Sequence, residues 1–265
     1  MKIIKVPFSN GGLGKTLGCE EAPDRIVMLT EEFYLNESGF KEKFEVDAVE
    51  VDQANIETTN KAIYDKLKPL VDDVVSGRIC VLGGDHSITY AAFKAFASKH
   101  NGAGLVVFDA HPDCEGDMEP PTHEDYLRVL VKDGIADRNR VIVLGVRNWT
   151  GNEKEFMEQN GIRYFNMKQI QMNGLSDVMD TVTETVREWD ETYLSIDIDA
   201  CDPAFAPGTG YIEPGGLTSR ELIYAVQRLK LLKNIRMIDL VEVNPKKDRD
   251  EMTTRLAAKL LVEMS

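Results

Sequence analysis

Leu194-Ser195-Ile196-Asp197-Ile198-Asp199-Ala200-Cys201-Asp202-Pro203 is the stretch whose reading decides the fold. The apolar residues Tyr193, Leu194, Ile196 and Ile198 predict a strand buried on both faces, as in a parallel sheet. Asp197 and Asp199 interrupt it two residues apart, and side chains at i and i+2 of a strand share one side. Burying adjacent anions is costly unless a cation compensates them. Toward the N-terminus the first basic residue is Arg187, so the strand's end is expected to hold a metal. A pair of exposed carboxylates on an edge strand is the competing reading.

Outward from this strand, apolar runs alternate with helical patterns. Strands are expected at 3–7, 25–29, 46–51, 79–82, 105–108, 141–146, 163–165, 193–199 and 235–241. Helices are expected at 56–76, 88–98, 126–131, 151–160, 175–189, 218–232 and 251–264. In the first of these, Ile63, Leu67, Leu70, Val71 and Val74 fall at helical spacing and Gly77 ends the pattern. Thr218 with Glu221 forms a capping-box signature ahead of the stripe Leu222, Val226, Leu229 and Leu232. Asn10-Gly11-Gly12-Leu13-Gly14-Lys15 resembles a phosphate loop but lacks its spacing, so it is read as a turn. Such alternation predicts an α/β fold, a doubly wound parallel sheet with helices on both faces. No linker or repeat divides the chain, so residues 1–265 are expected to form a single domain. Sites in such sheets lie at the carboxyl ends of the strands.

Metal-competent residues recur at those ends. Gly83-Gly84-Asp85-His86-Ser87 follows one strand and Asp109-Ala110-His111-Pro112-Asp113 the next. Glu242-Val243-Asn244-Pro245 follows the last. Carboxylates with two imidazoles and no convergent thiolate suit a hard ion such as Mn(II) better than structural zinc. Six ligands with four negative charges suit two divalent ions, which about 3.5–4 Å apart would hold a deprotonated water for hydrolysis. The residues alone thus read as a two-metal hydrolase.

GGDHS, DAHPD and SIDIDACDPAFAPGTG closely resemble, in order and spacing, the signature motifs of the arginase/agmatinase (ureohydrolase) family. The resemblance runs from Pro7 to the last helix. It implies the arginase/deacetylase fold, a three-layer α-β-α arrangement around a mainly parallel sheet of about eight strands. It implies two Mn(II) ions and hydrolysis of a guanidino compound to an amine and urea. By resemblance His86 and Asp113 are ligands of one ion, His111 and Asp199 of the other, and Asp109 and Asp197 are shared. Ser195 is placed to hydrogen-bond a ligand. Glu242 is similar to the acidic residue that pairs with the substrate guanidinium. His123 is similar to the proton-shuttling histidine, with Asp113 protonating the leaving amine. A surface-loop histidine is the alternative for His123, since Glu124 stands where the family has Gly.

For the substrate, Glu115 would repel a carboxylate and attract an ammonium. A solvated loop glutamate is its other reading. PGTG and EPGGLTSRE are more agmatinase-like, whereas EVNP and Gly161-Ile162-Arg163-Tyr164-Phe165 are more arginase-like. Tyr211-Ile212 replaces the usual Thr-Pro, which leaves the pocket open. The expected substrate is agmatine, cleaved to putrescine and urea, with arginine (to ornithine) or another guanidino or amidino compound as alternatives. A single-zinc deacetylase and a non-catalytic metal-binding assembly protein are the readings from other classes, and the intact ligand set argues against both.

The formal charge is −14, from 31 basic and 45 acidic residues, which disfavours nucleic acid and anionic membranes as partners. It fits a small cationic substrate, and equally a solubilising surface. Cys19, Cys80, Cys114 and Cys201 show no paired spacing, as expected in a reducing compartment. No leader-like segment and no apolar run of about 20 residues is present. The expected location is cytoplasmic. The family resemblance implies a homo-oligomer, a trimer or hexamer.

Overall fold

The computed structural model describes residues 1–73 and 77–265. Its first half runs β1 (Lys2–Val6), α1 (Ala22–Thr30), β2 (Glu45–Ala48), α2 (Ile56–Asp73), β3 (Ile79–Gly83), α3 (Ile88–Ala97), β4 (Gly104–Phe108) and α4 (Tyr126–Lys132). β5 (Val141–Leu144), α5 (Gly151–Asn160), β6 (Arg163–Phe165), α6 (Met167–Asn173) and α7 (Leu175–Arg187) follow. The chain then forms β7 (Thr192–Asp197), α8 (Ser219–Lys230), β8 (Ile235–Val241) and α9 (Met252–Met264).

The strands form one eight-stranded sheet in the order β2-β1-β3-β8-β7-β4-β5-β6, and every pairing is parallel. Strands β3, β4, β5 and β7 are buried along their whole length, which explains their continuous apolar runs. Alternate side chains feed two cores. Leu82, Phe108, Ile196 and Leu240 pack with Ile26, Val182, Leu222, Val226, Leu229 and Leu260. Val81, Val107, Tyr193 and Met237 pack with Ile63, Leu67, Phe93 and Leu130. Each large apolar side chain so buried contributes about 1.5–3 kcal/mol. The result is the expected three-layer α-β-α architecture.

Register fixes where the site falls. Leu82 pairs with Leu240, Asp197 with Val241, and Phe108 with Ile196. The carboxyl ends of β3, β8, β7 and β4 therefore lie side by side, and each is followed by one of the polar motifs.

Several expectations are corrected. Residues 25–29 form no strand: they lie in α1, whose Ala22, Ile26 and Leu29 are buried at helical spacing and whose first turn contains Pro23. The strand expected at 46–51 is β2, which ends at Ala48 and is exposed at every residue because it is a sheet edge. The central strand stops at Asp197, and Ile198–Ala200 turns into a short 3-10 helix because the Asp197 carboxylate accepts the Asp199 N–H. The helix α6 was not expected; Asn166 and Gln169 cap it reciprocally. Val74, expected to close the stripe of α2, lies outside the described residues. The Thr218–Glu221 capping box is present as read.

Candidate metal centre and substrate cleft

Asp109, at the end of β4, brings the site together. It lies with His111 and Asp199 in one group and with His86 and Asp113 in another, the ligand atoms of each group within 4.8 Å of one another. His86 Nδ1 stands 3.1 Å from Asp109 Oδ2, 3.0 Å from Asp113 Oδ2 and 3.3 Å from Asp197 Oδ2. His111 Nδ1 stands 3.1 Å from Asp199 Oδ2 and 3.4 Å from Asp109 Oδ1. Asp197 belongs to neither group; its Oδ1 is taken by the Asp199 N–H at 2.7 Å, and Oδ2 points to His86. All six residues converge.

The local chain explains the convergence. Asp113 adopts a left-handed backbone, φ 51°, which turns its carboxylate back toward His86. Such a conformation in a non-glycine residue costs on the order of 1–3 kcal/mol. Glu242 is held likewise at φ 63°, its N–H bonded to Gly84 O at 2.7 Å. A Cβ on Gly84 would sit 1.9 Å from Phe8 O, so only glycine lets β1 and the loop after β3 come this close.

Charge in the site is unbalanced. Burial, then the neighbouring Asp109, pushes the Asp113 carboxyl well above its usual range. Burial, then Asp199 and Asp109, does the same to Asp197. Burial opposes a charged His86, yet Tyr126 and the surrounding carboxylates hold its pKa well up. Buried His86 Nδ1 and Asp109 Oδ2 have no hydrogen-bond partner. Orphaned ligand atoms amid excess carboxylate are what a divalent cation would satisfy, and oxygen with imidazole suits a hard ion. The residues fit a metal pair.

Around these six residues lies a shell that sequence reading only partly found. Ser195 Oγ lies 2.8 Å from His86 Nε2, as expected, and Tyr126 Oη lies 3.0 Å from the same nitrogen. Ser195 in turn donates to Asp239, which also receives hydrogen bonds from Thr89 and Tyr193. Asp239 sits in the apolar run of β8 as Asp197 does in β7, a signal available in the sequence. Tyr126 carried no such signal. Arg147 donates to the carbonyls of Asp199 and Glu213, each at 2.7 Å, pinning the segment after β7.

A cleft with a volume of 170 Å³ opens over these residues. Glu242 and His123 both line it: His123 Nδ1 is 3.1 Å from Glu242 Oε1, which also accepts the His86 N–H at 2.9 Å. His123 is buried, not a surface-loop residue. Burial works against its charged form, but the hydrogen bond to Glu242 raises its pKa to about 9. Glu115 lines the same cleft, with its carboxylate bonded by the Thr150 hydroxyl and the Asn152 amide. Glu124, Glu153 and Tyr211 complete that wall with Asn148 and Thr150. Among the described residues, no Lys or Arg lines it.

The Arginase family model matches residues 1–265. The chain is 32% identical to a formimidoylglutamase of Halalkalibacterium halodurans over 214 residues, 79% of this chain and 65% of that protein. It is 38% identical to an agmatinase of Escherichia coli over 187 residues, 71% of this chain and 58% of that one. The matches therefore span somewhat under two thirds of these relatives' lengths. The crystal structure of formimidoylglutamase from Bacillus subtilis superposes with a TM-score of 0.93 at 27% identity, covering 99% of this chain and 85% of that one. The fold is that of the arginase type. The chain belongs to the Arginase family. Among the described residues no helix is long and apolar enough to cross a membrane.

Proposed function

We propose that this chain hydrolyses a guanidino compound to an amine and urea, with agmatine preferred over arginine. The observation that carries the preference is the cleft wall: Glu115, Glu124 and Glu153 line it and no described Lys or Arg does. The α-carboxylate of arginine would face like charge from these three glutamates, whereas agmatine presents an ammonium. The similarity to an agmatinase supports the same reading.

His86, Asp109, His111, Asp113, Asp197 and Asp199 would hold two divalent cations, Mn(II) on the chemistry of the donors. Bound there, the ions would supply Lewis acidity and a water acidified enough to act as nucleophile near neutral pH. Glu242 orients the substrate by accepting hydrogen bonds from its guanidinium, fixing the carbon over the carboxylates. Asp113 takes up the attacking water's proton and delivers it to the leaving nitrogen, and His123, bonded to Glu242, relays a further proton from solvent to the departing amine. Residues 1–265 act as one domain in this reading, and the sheet supports it by drawing strands from Lys2 to Val241. The four buried free cysteines fit a reducing, cytoplasmic setting. Assembly into a homo-oligomer, a trimer or hexamer, is tested by light scattering of the purified chain.

The test of function is urea release from agmatine, arginine and guanidinobutyrate by the Mn(II)-loaded protein. Agmatine should give the highest kcat/KM. Preference for arginine would overturn the agmatinase-like assignment, and no urea from any of them would overturn the hydrolase reading.

A further inference from the structure

We infer that Tyr211 and Glu124 form a specificity-determining pair that selects the substrate's tail by length and charge; this rests on the guanidino-hydrolase reading above. The two residues are 87 positions apart, on the segments after β7 and β4, and the Tyr211 hydroxyl donates to Glu124 Oε1 at 2.7 Å. Both line the cleft. The Tyr211 ring lies 5.9 Å from that of His123 at an interplanar angle of 23°, and 5.3 Å from that of His111 at 61°. It therefore spans the two histidines and walls the cleft on that side. Glu124 Oε1 is 3.8 Å from His123 Nε2, a buried nitrogen without a hydrogen-bond partner. The Glu115 N–H donates to Glu124 O at 3.0 Å, which sets the two glutamates side by side.

The pair thus does two things to a ligand. The ring takes up space that a longer or branched tail would need. The carboxylate, held in place by a neutral hydroxyl, adds negative charge where a cationic tail would lie. Glu124 stands where the family resemblance expects Gly, and Tyr211 where it expects Thr.

The experiment compares agmatine, its homologues with shorter and longer polymethylene spacers, and butylguanidine, which lacks the ammonium. Binding by calorimetry and urea release are measured on the Mn(II)-loaded native protein and on Glu124→Gln, Tyr211→Phe and Tyr211→Ala, each first checked for folding by thermal denaturation. In Glu124→Gln the preference for agmatine over butylguanidine should fall about three- to tenfold, through KM more than kcat, the size of a partly exposed charge contact. In Tyr211→Ala the dependence on spacer length should flatten. Tyr211→Phe keeps the ring, so it should keep the length dependence while losing part of the charge preference. An unchanged agmatine preference in Glu124→Gln, or an unchanged length profile in Tyr211→Ala, overturns the inference. Tail-selective binding without urea release would fault the hydrolase reading and still support the pair.

Discussion

Ser195 Oγ donates a 2.6 Å hydrogen bond to Asp239 Oδ1, and this leaves the serine only a lone pair to offer His86. With its proton committed to Asp239, the serine meets His86 Nε2, 2.8 Å away, as an acceptor. Nε2 then carries the ring proton, and Nδ1 is left free to ligate. Ser195→Ala should therefore weaken metal binding about 10- to 100-fold. Asp197→Ala should lose metal and activity together, and chelation should lower the Tm of the native protein, since an ion bound only by the folded state stabilises it. Metal titration followed by calorimetry checks this, and native affinity in Ser195→Ala would contradict it.

Glu242 is the group placed to hold the guanidinium. Glu242→Gln keeps the shape and removes the charge, and a charge-assisted hydrogen bond is worth about 1.5–3 kcal/mol. Turnover efficiency should drop about ten- to a hundredfold with metal content unchanged. Unaltered kinetics would place the substrate elsewhere.

Glu115 should discriminate by charge rather than drive the chemistry. Glu115→Gln should reduce efficiency on agmatine severalfold more than on methylguanidine, as expected for a partly exposed charge contact of about 1 kcal/mol. Equal losses on both substrates would return Glu115 to a solvated loop role.

His123 predicts a pH dependence in the metal-free protein. Its folded pKa is raised to about 9, burial opposing and the bond to Glu242 prevailing. The unfolded value is about 6.5. A raised folded value gives stabilisation that is complete below about pH 6.5 and lost as pH rises through about 9. The Tm advantage of the native chain over His123→Asn should shrink across that window. A difference that stays flat from pH 6 to about 9.5 would rule the coupling out.

Gly84→Ala tests the packing beneath the site. The new Cβ would lie 1.9 Å from Phe8 O, so β1 and the loop after β3 must separate. Overpacking of this kind costs about 1–3 kcal/mol. Because Gly84 O also anchors Glu242, stability to denaturant and kcat/KM should fall together. Loss of stability with activity intact would show that the two are not coupled.

By itself the sequence determined the fold class and singled out the six candidate residues that the structure brings together. Carboxylates inside or directly after apolar strand runs conflict with burial unless a cation meets them, and that conflict is local, visible at Asp109, Asp197 and Asp199. The short run at 25–29 misled because four apolar residues suit strand and helix alike, and α1 wins only through packing of Ile26 and Leu29 against the sheet. Tertiary structure alone decided what depends on distant pairing. Strand order sets β3, β8, β7 and β4 side by side, so His86, Glu242, Asp197 and Asp109 meet across as many as 156 positions. Tyr126 reaches His86, and Tyr211 reaches Glu124, only once those strands are in register. No spacing rule encodes such contacts, because they arise from where whole elements pack and not from the period of any one of them.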